Sequence, residues 1–129
     1  MKALTSTIER IETNSPTGQL HFAAVEQLGK RLGIDATDIL DLVGIPGRTR
    51  SRRRHDGFFK PDEADRLLRV GRVFGEAVRV FGSEEKAALW LKTPSPLFGG
   101  RAPLSYLDSD GGAHAVSEEV VRIDFGDFA

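Results

Sequence analysis

The sequence predicts an all-α protein in which an N-terminal helix-turn-helix packs against a small helical C-terminal domain. Apolar residues recur at three- and four-residue steps along most of the chain, as they do on the buried face of a helix. Glycines and prolines stand where these runs stop and restart, and no run has the alternation of a half-buried strand. At 129 residues the chain fits one domain, or two very small ones that share a core.

The chain opens with a polar segment and a first helix. Residues 1–17 show no sustained period, and we expect them to form a flexible arm. A helical period then starts at Leu20 and stops at Gly33, because glycine tolerates the left-handed conformation common just past a helix C-terminus.

Two short helices follow, joined by a tight turn that contains a glycine. Asp35 is placed to cap the first of them, and Gly44 ends it. Pro46 opens the second, which runs to about His55 and carries most of the arginines. This arrangement is that of a helix-turn-helix, and it predicts a DNA-binding domain over residues 18–60.

Residues 61–129 predict a second helical domain. Pro61 and the two acidic residues after it begin the longest helix, which we expect to end at Gly82. The next helix starts after Ser83 and must end before Pro94, because a proline disfavours helical backbone in the residue before it.

The C-terminal part is predicted to be a loop and a last helix. Residues 93–103 contain three prolines and a Gly-Gly pair, which predict a loop. Apolar residues at helical spacing then predict a helix from about Asp110 to Phe125, with Gly126 as its stop.

Charge is distributed unevenly along the chain, although its net value is only -1. Between residues 44 and 60, six basic side chains stand against one acidic side chain, a net charge of +5. Between residues 108 and 129, six acidic side chains stand against one basic side chain, a net charge of -5. The two segments indicate two surfaces with different partners, or else solvated charge.

The sequence argues against an enzyme. It has no cysteine, and the three histidines (His21, His55 and His114) have no metal-ligand spacing. No nucleotide-binding or nucleophile motif is present, so we expect no cofactor and no metal. The N-terminal segment has no apolar run of signal-peptide type and no segment is long and apolar enough to span a bilayer, which predicts a cytoplasmic protein without a membrane partner.

The arginine-rich helix supplies the candidate DNA-binding residues. Arginine forms paired hydrogen bonds with guanine or phosphate, which lysine does less well. The residues expected to face DNA are Arg48, Thr49, Ser51, Arg52 and Arg53. An alternative is that some of these arginines pair with the acidic tail or with a protein partner.

These residues resemble one family, the Xre/MbcA/ParS antitoxins that pair with RES-domain toxins in type II toxin-antitoxin systems. In the N-terminal half the matching residues are Gly44-Ile45-Pro46, Arg48-Thr49 and Arg52-Arg53-Arg54. In the middle they are Asp65 to Arg69, Ala77, Val80-Phe81-Gly82, Ala87 and Trp90-Leu91. Towards the C-terminus they are Pro96-Leu97, Gly99-Gly100, Pro103-Leu104, Leu107-Asp108, Gly112, Val116, Arg122-Ile123, Gly126 and Phe128-Ala129.

The resemblance implies a function for each half. RES-domain toxins are similar in fold to ADP-ribosyltransferases and destroy NAD, and their antitoxins block the route to the NAD pocket. A Cro/Xre-like helix-turn-helix, a homodimer, a higher-order complex with the toxin and repression of the operon are implied as well. The toxin-binding residues it implies are Gly99, Gly100, Pro103, Arg122, Phe125, Asp127, Phe128 and Ala129. The acidic end suits a pocket that must hold the anionic pyrophosphate of NAD with cationic side chains.

Two positions depart from the family pattern, and they leave alternatives open. Arg50 stands where the family usually has an apolar residue, and Gly47 stands where a polar or basic residue is common. An arginine facing the core is costly unless its head group reaches solvent. One alternative is therefore an antitoxin that has lost DNA binding, and another is a stand-alone helix-turn-helix regulator that binds no toxin.

Overall fold

Six α-helices make up most of the computed structural model, which describes residues 19–126. The predicted all-α class and the order of its helices are confirmed within this range. The α-helices are α1 (Ala23–Leu32), α2 (Ala36–Leu42), α3 (Gly47–Asp56), α4 (Pro61–Phe81), α5 (Glu84–Lys92) and α6 (Asp110–Asp124). Two short 3₁₀ helices, Pro96–Phe98 and Pro103–Asp108, separate α5 from α6. The arm predicted over residues 1–17 lies outside the described residues.

Local signals in the sequence account for most helix ends. α1 ends at Gly33 and α4 at Gly82, and both glycines have a left-handed backbone, with φ of 73° and 89°. α5 begins after Ser83, whose side chain accepts a hydrogen bond from the backbone N–H of Lys86 at 3.1 Å. These three ends are thus satisfied by the residues beside them. Asp35 stands at the N-cap position of α2, as expected, but its side chain makes no capping hydrogen bond.

The first helix starts later than its apolar pattern predicts. Leu20 is buried but precedes α1, because the segment before the helix pairs with the segment that follows α3. The N–H of Phe22 donates to the carbonyl of Gly57 at 2.9 Å, and that of Phe59 donates to Leu20 at 3.0 Å. This pairing places the entry to α1 beside the exit from α3.

The predicted loop over residues 93–103 is also more ordered than expected. Prolines occupy the first position of both 3₁₀ helices, where their fixed φ suits a helical turn. The first turn is closed by Ser95, whose hydroxyl accepts the N–H of Leu97 at 3.2 Å. Phe98 and Leu107 are buried, so this connection contributes to the core.

Helix α4 is the central element of the fold. It packs against α5 and α6, and its Leu67 and Leu68 lie beside Leu28 of α1. The buried apolar residues form a single cluster that includes members of both predicted domains. The boundary predicted between residues 60 and 61 coincides with the start of α4, and it stays a prediction because the core is continuous across it.

One glycine sets how closely α6 approaches the preceding 3₁₀ helix. A Cβ atom built on Gly112 would lie 2.0 Å from the carbonyl oxygen of Tyr106, closer than any real side chain stands to a backbone atom. The neighbouring Gly111 has open space at the same position. Gly112 is therefore required by packing.

Within residues 19–126, no helix is both long and apolar enough to cross a membrane.

Candidate functional site

Helix α3 is unusual because it has no apolar side chain to bury. Its sequence is GRTRSRRRHD, and Arg53 is the only one of its residues that is buried. The turn before it contains Gly44 with φ of 74°, a conformation that favours glycine. Polar contacts must therefore hold most of this helix in place.

An ion pair with the start of α4 provides the first of these contacts. Arg53 is only 5% exposed, and its Nε and Nη2 donate to the two carboxylate oxygens of Glu63 at 2.7 and 3.2 Å. Glu63 also accepts the backbone N–H of Lys60 at 2.9 Å, which satisfies one free donor at the start of α4. One carboxylate thus caps α4 and fixes the orientation of α3.

The ionisation of this pair follows from its surroundings. Burial opposes the charged form of Glu63, but the hydrogen bonds from Arg53 and from the Lys60 N–H outweigh it and hold the pKa of Glu63 below its usual value of 4.5. The hydrogen bond to Glu63 likewise raises the pKa of Arg53. Both groups are charged at neutral pH.

Arg50 provides the second contact. Its Nε donates to the carbonyl of Ile45 at 2.7 Å, and its Nη2 forms an ion pair with Asp41 of α2. The side chain is largely buried, but its head group is paired, so the cost expected for an arginine at this position is offset. Arg50 connects the two helices of the helix-turn-helix.

The remaining polar side chains of α3 form the arginine surface, which we define as Arg48, Thr49, Ser51 and Arg52. Three of these residues are exposed and Thr49 is half-buried. Within residues 19–126, none of their side chains has a hydrogen bond or an ion pair, so their polar groups are available to a ligand. The structure therefore brings together four of the five residues predicted to face DNA and separates Arg53 from them.

At the C-terminal half, a tight turn connects the two 3₁₀ helices. Gly99 and Gly100 are exposed and have φ of 65° and 81°, conformations that side chains rarely adopt. The Gly100 N–H donates to the carbonyl of Ser95 at 2.9 Å, and the hydroxyl of Tyr106 donates to the carbonyl of Phe98 at 2.8 Å. These two hydrogen bonds hold the turn in place, and Leu97 in the 3₁₀ helix before it is 61% exposed.

The last turns of α6 carry further exposed apolar side chains. Phe125 is 82% exposed and Val121 is 47% exposed. Arg122 lies between them in sequence and pairs with Glu119 at 2.6 Å. A shallow depression of about 420 Å³ is lined by all three, and another of about 280 Å³ joins Arg122 to Leu97.

We call the set Leu97, Val121, Arg122 and Phe125 the α6 face. Of the residues predicted to bind toxin, Arg122 and Phe125 belong to it, and Gly99 and Gly100 shape its adjoining turn. Pro103 is buried at the start of the second 3₁₀ helix and has a supporting position. The remaining predicted residues, Asp127, Phe128 and Ala129, lie outside the described residues.

Helix α4 supports the α6 face through two polar contacts. The buried Arg69 donates to the carbonyl of Leu107 at 3.2 Å and to the carboxylate of Asp110 at 2.6 Å. Two turns further along α4, Glu76 accepts a hydrogen bond from the hydroxyl of Ser117 at 2.7 Å. These bonds connect the start and the middle of α6 to the central helix.

The sequence interpretation missed Glu63, Leu97 and Val121. Glu63 stands three residues after Lys60, the capping-box spacing, so its role at the start of α4 had a signal in the sequence. The pairing of Glu63 with Arg53 had no signal in the sequence, because α3 contains no apolar residue that would mark the inward face of that helix. Within residues 19–126 there is also no group of His, Asp or Glu side chains that could hold a metal ion.

Comparison with known proteins gives two adjoining family matches. Residues 16–72 match the antitoxin Xre-like helix-turn-helix domain, which covers the arginine surface. Residues 76–126 match the antitoxin Xre/MbcA/ParS C-terminal toxin-binding domain, which covers the α6 face.

Three curated relatives share this similarity, and each is named Antitoxin Xre. The chain is 41% identical to the protein of Yersinia enterocolitica over 98 residues, which are 74% of this chain and 66% of the relative. It is 42% identical to that of Photorhabdus laumondii over 91 residues (69% and 62%) and 38% identical to that of Pseudomonas putida over 80 residues (61% and 50%). The chain thus spans half to just under two thirds of the length of these relatives.

Proposed function

Because the chain belongs to the Xre/MbcA/ParS antitoxin family, we propose that it neutralises a RES-domain toxin with its C-terminal half and represses its own operon with its helix-turn-helix. The toxin would be an NAD-degrading, ADP-ribosyltransferase-like enzyme whose active site is blocked by the antitoxin. Both steps take place in the cytoplasm. The antitoxin itself has no catalytic role in this proposal.

The exposure of Phe125 is the observation that carries the toxin-binding part. A phenylalanine that is 82% exposed, beside the exposed Val121, is an unusual concentration of apolar surface at one helix end. Buried aromatic and arginine side chains are the residues that most often dominate binding at protein interfaces. Phe125 and Arg122 are therefore the proposed anchors of the toxin contact.

The acidic character of the same segment supports a position close to the NAD pocket. From Glu118 to the end of the chain, four acidic side chains stand against Arg122, a net charge of -3. A pocket that binds the pyrophosphate of NAD needs cationic side chains, which an acidic segment would pair with. We propose that Asp124 and Asp127 contribute in this way.

The arginine surface supports the DNA-binding part. Arg48 and Arg52 are one helical turn apart and exposed, while Arg50 and Arg53 are used to hold α3. The fold thus accommodates Arg50, the residue that departs from the family pattern. This favours a chain that binds DNA over the alternative of an antitoxin that has lost DNA binding. A homodimer would present two such helices to half-sites about one turn of DNA apart.

Co-expression tests the toxin-binding part. Expression of a RES-domain toxin gene that adjoins this one should stop growth, and growth should recover when this chain is expressed with the toxin. Phe125→Ala should abolish recovery at equal protein level, whereas Arg72→Ala on the exposed side of α4 should not alter it. Recovery with Phe125→Ala would contradict the proposed contact, and no recovery with the unaltered chain would favour a stand-alone regulator.

A binding titration on the operon's promoter tests the DNA-binding part. Several phosphate contacts should make the logarithm of the association constant fall steeply with the logarithm of salt concentration. Absence of binding at low salt would indicate an antitoxin without a DNA function.

A further inference from the structure

The turn between α2 and α3 has two carbonyl groups that accept hydrogen bonds from arginines of neighbouring helices. Nε of Arg50 in α3 donates to the carbonyl of Ile45 at 2.7 Å. Nη1 of Arg66 in α4 donates to the carbonyl of Val43 at 2.6 Å. Arg50 therefore connects the turn to α3, whereas Arg66 connects the same turn to the central helix.

The end of α2 favours a cation supplied by another helix. The last carbonyls of a helix have no partner inside the helix and carry partial negative charge. Those of Leu40 and Asp41 accept backbone N–H groups of the turn at 2.9 and 3.1 Å. Over Ala36–Leu42 the sequence has no basic residue, so the cation that contacts the Val43 carbonyl comes from α4.

Arg66 is held in this orientation by its own helix. Its Nε donates to the backbone carbonyl of Asp62 at 3.3 Å, and its Nη2 pairs with the Asp62 carboxylate at 3.3 Å. Each of its three guanidinium nitrogens thus has an acceptor within the protein. A Cβ atom built on Gly44 would lie 3.5 Å from its Nη1, an ordinary contact distance. The head group of Arg66 therefore packs directly against the turn.

We propose that Arg66 is a positioning residue for DNA binding, which holds the turn so that α3 presents the arginine surface in one orientation. The turn fixed at Val43 leads directly into the start of α3. Glu63, which precedes Arg66 on α4 by one turn, holds the second half of α3 through Arg53. Two neighbouring residues of α4 thus fix α3 near both of its ends. This inference rests on the DNA binding in the proposed function and adds to it a residue that does not touch DNA.

Replacement of Arg66 by methionine tests the proposal on the full chain. Arg66→Met removes the hydrogen bonds and keeps an unbranched side chain. We expect the dissociation constant for promoter DNA to rise by about tenfold, because a loosened α3 must be ordered again on binding. The slope of log association constant against log salt should stay unchanged, because a residue that only positions α3 contributes no phosphate contact. Fluorescence anisotropy titrations at several salt concentrations measure both quantities.

Two further variants separate positioning from other roles. Arg72→Met, an exposed change on the same helix, should leave the dissociation constant and the slope unchanged. Arg66→Lys keeps a cation that can donate to the Val43 carbonyl, so its dissociation constant should lie between those of the unaltered chain and Arg66→Met. Thermal denaturation checks that each variant is folded at the assay temperature.

Each contrary outcome has a distinct meaning. Unchanged affinity in Arg66→Met, or an Arg66→Lys variant that binds as weakly as Arg66→Met, would overturn the positioning role. A slope shallower by about one would overturn it in favour of a direct phosphate contact. An Arg66→Met variant that is unfolded at the assay temperature would assign Arg66 to the stability of the whole fold instead. An unaltered chain that binds no promoter DNA at low salt would overturn the proposed DNA function itself.

Discussion

At the residue scale, five arginines in seven positions of α3 have different roles. Arg50 and Arg53 form hydrogen bonds with the scaffold, and Arg54 lies over the ring of Phe22 at 4.9 Å. Among these five arginines, only Arg48 and Arg52 are exposed and have no partner within residues 19–126. The chemistry of the side chain is the same in each case, and burial and neighbours decide the role.

The ion pair at Glu63 should make stability depend on pH. The pKa of Glu63 is lowered in the folded state, so its contribution is complete above about pH 4.5 and is lost as the pH falls through the folded value. Glu63→Gln should lower the free energy of unfolding by about 1–3 kcal/mol at pH 7, because it leaves the buried Arg53 with only the exposed Asp56, at 3.8 Å, as a charged partner. Urea denaturation at pH 7 and at several values below pH 4.5 measures both effects.

The variant should also lose stability less steeply than the unaltered chain on acidification. Asp65→Asn, an exposed change on the same helix, is the matched control and should keep the original pH profile. Identical profiles for the unaltered chain and Glu63→Gln would show that the pair does not contribute.

The arginine surface should determine the salt dependence of DNA binding. Replacing Arg48 and Arg52 by alanine removes two cations, so the slope of log association constant against log salt should become shallower by about two. Arg72→Ala, which removes an exposed cation elsewhere, should leave the slope unchanged. An unchanged slope in the double variant would exclude phosphate contacts by these two residues, and a fluorescence anisotropy titration at four salt concentrations measures it.

At the scale of elements, the helices were predictable from their end signals, α3 included, but the orientation of α3 was not, because that helix has no apolar face. Pro61, Ser83 and Gly82 mark helix ends through local chemistry, so the bounds of α4 and α5 followed from the sequence. The orientation of α3 depends on Glu63, ten residues beyond Arg53, and no periodicity reports a contact of that kind. The two 3₁₀ helices were missed because each is too short to show a repeating apolar pattern.

The start of α6 offers a test with an adjacent control. Gly112→Ala places a methyl group against the carbonyl of Tyr106, and we expect it to lower the free energy of unfolding by about 1–3 kcal/mol. Gly111→Ala, one residue earlier, meets open space and should be neutral or stabilising by up to about 1 kcal/mol. Thermal denaturation of both variants measures the difference, and equal stabilities would contradict the close approach.

At the scale of the whole molecule, α4 supports both proposed surfaces at different points. Its Glu63 holds α3 below the arginine surface, and its Arg69 holds the segment that leads into α6. The two contacts are six residues apart on one helix, and they share no side chain. Each surface is therefore expected to respond to its own contact.

Hydrogen exchange can separate the two supports. Arg69→Met should speed amide exchange in the second 3₁₀ helix and α6, because it removes bonds to Leu107 and Asp110, and should leave α3 unchanged. Glu63→Gln should speed amide exchange in α3 and should leave the second 3₁₀ helix and α6 unchanged. Equal acceleration across all helices in either variant would show that the fold opens as one unit.

The pairing between residues 20–22 and residues 57–59 has a practical consequence for labelling this protein. It places the first described residues next to the end of α3, and the last described residue, Gly126, adjoins Phe125. A label attached at either end of residues 19–126 would thus lie close to one of the two proposed binding surfaces. Surface attachment for binding measurements is better made at an exposed side chain on the outer side of α4, such as Arg72 replaced by cysteine, in a chain that has no cysteine of its own.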